Sequence, residues 1–141
     1  MKTVLLAEDS PDDAFIIKNA CQNADIPHSL VHVPDGVAAI DYLSGTGVYA
    51  DRGRNPLPDL VFLDIKMPRR DGHEVLEWIR AQPAFLNLPV IMLTNSEDPK
   101  DIHRAYELGV TSYLLKDGDA KEFVLGVRVI LKYWLCMNIT P

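Results

Sequence analysis

Short apolar runs alternate with amphipathic stretches along the whole chain. The runs Thr3 to Ala7, Ser29 to Val33, Leu60 to Leu63, Pro89 to Leu93 and Ser112 to Leu115 are rich in Val, Ile and Leu, as strands buried on both faces require. Helical signals fill the gaps. Ser10 is a natural N-cap, Pro11 suits the first helical position, and Asp12 and Asp13 meet the positive end of the dipole, after which Ala14, Ile17, Cys21 and Ala24 share a face. A second helix is predicted from about Asp35 to Leu43, stopped by Ser44-Gly45. A third starts near Gly72 or His73 and presents Val75, Leu76 and Ile79 before Pro83. The fourth has Asp98 as cap and Pro99 at its start, turns Ile102, Ala105 and Tyr106 inward, and ends before Gly109. The fifth is predicted over Ala120 to Leu135, with a stripe of Phe123, Val127, Ile130 and Trp134 that Val124, Leu131 and Leu135 widen beyond what one sheet face needs. Strand-helix alternation of this kind predicts an α/β domain, a parallel sheet covered on both faces.

With 141 residues the prior is a single domain spanning 1–141, and 48% hydrophobic against 24% charged residues matches an ordinary globular core. A net charge of −6, from 14 Lys and Arg against 20 Asp and Glu, disfavours the phosphate contacts on which nucleic-acid binding depends. No apolar run approaches the roughly 20 residues a membrane span requires, and Glu8-Asp9 cut short any signal-peptide core, so a cytoplasmic location is expected. Cys21 and Cys136 fit no paired motif and read as free thiols. Gly45 to Pro58 is too long for an ordinary αβ connection and reads as an insertion at the edge opposite the strand C-termini.

Candidate chemistry lies where those strands end. Right-handed crossovers bring strand C-termini to one sheet edge, where open α/β folds bind ligands. There the first strand ends in Glu8-Asp9, the third in Asp64, the fourth in Thr94 and the fifth in Lys116. Three carboxylates crowd together only with a cation, and an all-oxygen donor set suits Mg²⁺ or Mn²⁺ rather than zinc. His28, His32, His73 and His103 have no shared ligand spacing and read as surface or structural residues. A carboxylate, a metal, an ammonium and a hydroxyl form a receptacle for a phosphoryl group, with Asp64 the preferred nucleophile at the centre of the sheet.

These motifs, LLAEDSPDD, LVFLDIKMPRRDG, VIMLTNS and GVTSYLLKD, resemble in order and spacing the receiver domain of bacterial response regulators (CheY-like). The resemblance implies a doubly wound, flavodoxin-like sheet of five parallel strands in the order 2-1-3-4-5. It implies that Asp64 is the phosphoacceptor for a sensor histidine kinase, that Asp9, Asp64 and the Lys66 backbone carbonyl hold Mg²⁺, and that Glu8 acts through a metal-bound water. Lys116 and Thr94 would contact the phosphoryl oxygens, Tyr113 would be the aromatic that turns inward with Thr94, and Met67-Pro68 with Gly72 would keep the loop compact. The insertion, the LTNS motif and Tyr133-Trp134-Leu135 resemble the single-domain subgroup associated with bacterial phytochrome kinases. That subgroup implies a homodimer through helix five and, without an output domain, a downstream protein or phosphotransfer partner. The chain departs from the family at Asp117, where a cis proline is usual, and at Asn95 and Ser96, where small residues are usual.

A dedicated enzyme is not expected, beyond weak autophosphorylation and autodephosphorylation. Three alternatives remain at this level. An aspartyl-nucleophile phosphohydrolase would carry a second Asp where Lys66 stands. A nucleotide-binding module would need a glycine-rich loop after the first strand, and a phosphorylation-independent adaptor would tolerate Asp64→Asn.

Overall fold

The computed structural model describes residues 1–141. Strands β1 (Lys2–Ala7), β2 (His28–Val33), β3 (Leu60–Leu63), β4 (Val90–Thr94) and β5 (Ser112–Leu115) form one sheet in the order β2-β1-β3-β4-β5. Every neighbouring pair is parallel. The predicted architecture and strand order are therefore observed. The helices are α1 (Pro11–Asn23), α2 (Gly36–Ser44), α3 (Gly72–Ala81), α4 (Pro99–Glu107) and α5 (Ala120–Leu131).

Alternation along the central strands divides the interior in two. Leu5, Ala7, Val61, Leu63, Val90 and Met92 face one layer, with Val75, Leu76 and Ile79 of α3 and Ala105 of α4. Val4, Leu6, Leu60, Phe62, Ile91 and Leu93 face the other, against Ala14, Ile17 and Cys21 of α1 and Phe123, Val127 and Leu131 of α5. Neither half could be removed without exposing the middle strands β1, β3 and β4, which are apolar on both faces for this reason.

Helix boundaries follow the capping chemistry. Ser10 accepts from Asp13 N–H, Asp35 from Ala38 N–H and Asp98 from Lys100 N–H, while Asp71 and Glu74 form a reciprocal capping box at α3. Gly109 takes φ +94° just past α4, the left-handed position its side-chain-free backbone allows. Two expectations need correction. Tyr106 does not turn inward but is 52% exposed, because the 3.6-residue period leaves only Ala105 at the centre of a narrow buried stripe. The last helix does not run as α to Leu135: it is α to Leu131 and continues as a π-helical segment over Lys132–Met137, which keeps Leu135 buried and leaves Trp134 half-buried.

The segment from Gly45 to Pro58 is tied to α2 by Arg52 and Tyr42. Arg52 donates to the Tyr42 and Leu43 carbonyls in the last turn of α2 at 2.8 Å each, the first of which also accepts from Gly45 N–H at 3.2 Å, and its guanidinium lies over the Tyr42 ring. Tyr42 in turn donates its hydroxyl to the Pro56 carbonyl at 2.8 Å. Cys21 and Cys136 are both free, and no helix is long and apolar enough to cross a membrane.

Candidate functional site

Strand register builds the site. Ala7 pairs with Leu63, so Glu8 and Asp64 leave adjacent strands side by side, and Asp64 N–H donates back to the Ala7 carbonyl at 3.1 Å. Thr94 pairs with Leu115, so Lys116 follows beside the hydroxyl, its N–H donating to the Thr94 carbonyl at 2.8 Å. The result is a cleft of about 180 Å³ at the C-terminal edge of the sheet, lined by Glu8, Asp9, Asp64, Lys66, Thr94 and Lys116 among others. All six residues assigned to the phosphoryl and metal chemistry by sequence are brought together there.

Lys116 is the electrostatic centre. Its ammonium has three protons, and they meet Glu8 Oε1 at 2.7 Å, Asp13 Oδ2 at 2.7 Å and Asp64 Oδ2 at 3.0 Å. Burial alone would lower its pKa, but the hydrogen bonds to Asp13 and Glu8 and the charge of Asp64 outweigh burial and raise it. Glu8 behaves in the opposite sense for a carboxylate. Burial, reinforced by the nearby charge of Asp64, pushes it up to about 7 in spite of its hydrogen bond with Lys116.

One ammonium does not neutralise this set. Oxygens of Glu8, Asp9 and Asp64 lie within 4.8 Å of one another, with Asp9 exposed to solvent and the other two buried. An oxygen-only cluster with surplus negative charge fits a hard divalent cation.

Beside the carboxylates, Thr94 is 1% exposed and its Oγ1 accepts from Ser96 N–H at 3.3 Å. Tyr113 lies inward in this structure: it packs against the α3 and α4 side of the core and donates its hydroxyl to the Ser96 carbonyl at 2.8 Å. Burial raises its pKa, so the phenol stays protonated as that bond requires. The Lys116-Asp117 peptide is trans, as are all others.

Gly72 positions the loop that follows Asp64. A Cβ there would stand 2.2 Å from the Asp64 carbonyl oxygen and 2.8 Å from Ile65 Cα, while the glycine's N–H donates to the Ile65 carbonyl at 2.7 Å. Gly72→Ala must therefore displace the backbone that carries Asp64. We expect a loss of about 3 kcal/mol in urea denaturation, at the upper end for overpacking, since the obstacle is main chain. A loss below 0.5 kcal/mol would show that this contact is not rigid.

Sequence reasoning missed Asp13 and Ser96 as working parts. Asp13 reads as a first-turn carboxylate indistinguishable from Asp12, yet only Asp13 reaches Lys116. The N-cap at Ser10 carried the signal: its side chain accepts from Asp13 N–H at 3.3 Å, which fixes Asp13 as the residue one turn above the strand end.

Comparisons with known proteins agree with this geometry. Residues 4–128 match the response regulator receiver domain. The response regulator Rcp1 of Synechocystis is 36% identical over 134 residues, covering 95% of this chain and 89% of the relative. Its Mn²⁺-bound crystal structure superposes with a TM-score of 0.88 at 35% identity, covering 100% of this chain and 99% of that one. The phosphorylated cyanobacterial phytochrome response regulator RcpA gives 0.90 at 35% identity, with 99% and 98% covered. The response regulator RPA3017, described in red light signalling of R. palustris, gives 0.91 at 36%, with 100% and 99% covered. With its motifs gathered in one cleft and the match running over most of its length, this chain belongs to the response regulator receiver domain family.

Proposed function

We propose that the protein is a phosphoacceptor of a two-component phosphorelay, taking a phosphoryl group from a sensor histidine kinase onto Asp64. The observation that carries this reading is Lys116 buried against Glu8, Asp13 and Asp64 next to Thr94, an ammonium and a hydroxyl placed beside one nucleophilic carboxylate. A carboxylate oxygen of Asp64 forms the new bond to phosphorus as the phosphohistidine N–P bond breaks and the imidazole takes up a proton. Lys116 offsets the charge on the transferred oxygens and Thr94 donates to one of them. Asp9 and Asp64, with the Lys66 backbone carbonyl, would hold Mg²⁺ directly, and Glu8 would do so through water. The ion supplies the positive charge that a single ammonium leaves short. About two added negative charges at Asp64 give Thr94 a new acceptor, and Tyr113 passes that change to the surface of α4, β5 and α5.

RcpA, described as a cyanobacterial phytochrome response regulator, and RPA3017, described in red light signalling, make a bacteriophytochrome kinase the proposed donor, in the cytoplasm. A downstream protein or phosphotransfer domain would read the output. A homodimer through the last helix is proposed on its exposed Leu125, Val129, Tyr133 and Met137. Self-catalysed gain and loss of phosphate are slow side reactions of the same site.

The test is intact-mass spectrometry after incubation with acetyl phosphate and Mg²⁺. One phosphate labile to alkali and to hydroxylamine is expected, lost when EDTA replaces Mg²⁺ and mapped to the peptide containing Asp64. No phosphate, or one mapped elsewhere, rejects the reading. Rapid multiple turnover of a phosphomonoester would favour a phosphohydrolase instead.

A further inference from the structure

Ser96 stands at a junction of three elements. Its N–H donates to Thr94 Oγ1, its carbonyl accepts from the Tyr113 hydroxyl at 2.8 Å, and its own hydroxyl donates to Asp101 Oδ2 at 2.6 Å. The last contact is short, as a hydroxyl bonded to a charged carboxylate should be, and among the strongest that a neutral donor makes. Asp101 lies in the first turn of α4 and is held from a second side. His73 of α3, 2% exposed, places Nε2 at 3.0 Å from the Asp101 backbone carbonyl; since a carbonyl only accepts, that nitrogen carries the proton. The Asp101 main chain is thus anchored to α3 while its side chain grips the loop after β4.

We propose that Asp101 is a positioning residue that holds the Ser96 peptide where its carbonyl can receive Tyr113, and so biases the aromatic toward the inward arrangement before any phosphoryl group arrives. Thr94 and Tyr113 are joined through the loop between β4 and α4, where Ser96 Oγ also accepts from Asp98 N–H at 3.3 Å. The Ser96-Asp101 bond ties that loop to α4 itself. Movement of Thr94 toward Asp64 then has to carry the start of α4 along with the ring. The coupling between the phosphorylation site and the α4 surface is tightened by one carboxylate of α4 that does not itself line the cleft.

The response to phosphorylation rests on the proposed phosphoacceptor reading; the bias in the free protein does not. Labelling the full chain with 3-fluorotyrosine gives a ¹⁹F signal for Tyr113, assigned by its loss in Tyr113→Phe. In Asp101→Ala we expect that signal to move toward the position of a solvent-exposed tyrosine, the ratio of inward to outward rings falling by about tenfold for loss of one charge-assisted bond. Asp101→Asn keeps an acceptor oxygen without the charge and should return the signal most of the way to the wild-type position. Ser96→Ala approaches the bond from its other end and should reproduce Asp101→Ala. Adding beryllofluoride with Mg²⁺ then reads the coupling: wild type shifts the amide exchange of residues 99–107, and Asp101→Ala does so at least threefold less. An unmoved Tyr113 signal in both Asp101→Ala and Ser96→Ala overturns the proposal. So does an Asp101→Asn signal that stays with Asp101→Ala, because charge at the helix start would then be the cause. If wild type itself ignores beryllofluoride, the phosphoacceptor reading fails while the free-state comparison still decides the role of Asp101.

Discussion

Asp64→Asn should accept no phosphate and yet melt at a higher temperature than wild type when divalent ions are absent. The loss of phosphorylation follows from removing the proposed nucleophile. The gain follows from charge. Asp64 stands within 4.8 Å of the Glu8 and Asp9 carboxylates and 3.0 Å from Lys116. At pH 8, where Glu8 is ionised, and at an effective dielectric near 20, two repulsions of roughly 3 kcal/mol each face one attraction of roughly 5 kcal/mol. An amide keeps an acceptor oxygen for Lys116 and removes both repulsions. We expect a net gain of about 1 kcal/mol, or about 3 °C in Tm for a chain of this size. Because the wild-type carboxylate cluster gains more from Mg²⁺ than the variant does, millimolar Mg²⁺ should shrink or reverse the difference. Differential scanning fluorimetry with and without EDTA, paired with intact mass after acetyl phosphate, measures both parts. A destabilised Asp64→Asn in EDTA would mean that the Lys116 contact outweighs the crowding.

Lys116→Met should be damaging in both respects. Its ammonium is the shared partner of Glu8, Asp13 and Asp64, and its side chain is only 8% exposed. Met fills much of the same volume but leaves buried carboxylates without a counter-charge, a change that typically costs about 3 kcal/mol or more. Phosphorylation by acetyl phosphate should fall about a hundredfold, the usual scale for losing one donor to developing oxyanion charge. The pH dependence identifies the cause. Glu8 already stands at about 7 against an ordinary 4.5, so between those values the folded protein holds a proton that the unfolded chain has released. That difference makes stability fall as pH rises through the window, and removing Lys116 pushes Glu8 further in the same direction. The deficit of Lys116→Met in urea denaturation should therefore be larger at pH 8 than at pH 5. An equal deficit at both would point to packing rather than charge.

Much of this was legible from residue order, for reasons that differ between elements. The middle strands are apolar on both faces, and helices start at Ser10, Asp71 and Asp98 through local hydrogen bonds, so short windows of sequence decide them. The convergence of Glu8, Asp9, Asp64, Thr94 and Lys116 was equally readable, because a parallel sheet sends every strand end to one edge. What escaped depended on direction in three dimensions. Tyr106 and Ala105 are neighbours in sequence, and only the orientation of α4 on the sheet decides that one is buried and the other exposed. Asp13 and Asp12 are chemically identical, and a rotation of about 100° along the helix separates the partner of Lys116 from a solvent-facing acid. The Ser96-Asp101 bond joins a loop whose shape is set by tertiary contacts rather than by a capping rule. The π-helical end of the chain was likewise hidden, since its apolar spacing reads almost as well with 3.6 residues per turn.

The clasp that Arg52 makes on the end of α2 also bears on the outer shape of the protein. The side chain ties the corner to two carbonyls of the last turn of α2, so the corner and the helix share one folding unit. Extra length was thereby installed without slack. Val48 and Leu57 are left projecting from a firm base at the far end of the strands from Asp64. Both side chains are exposed, so the corner offers an apolar contour to a neighbour without reaching the carboxylate cleft across the sheet.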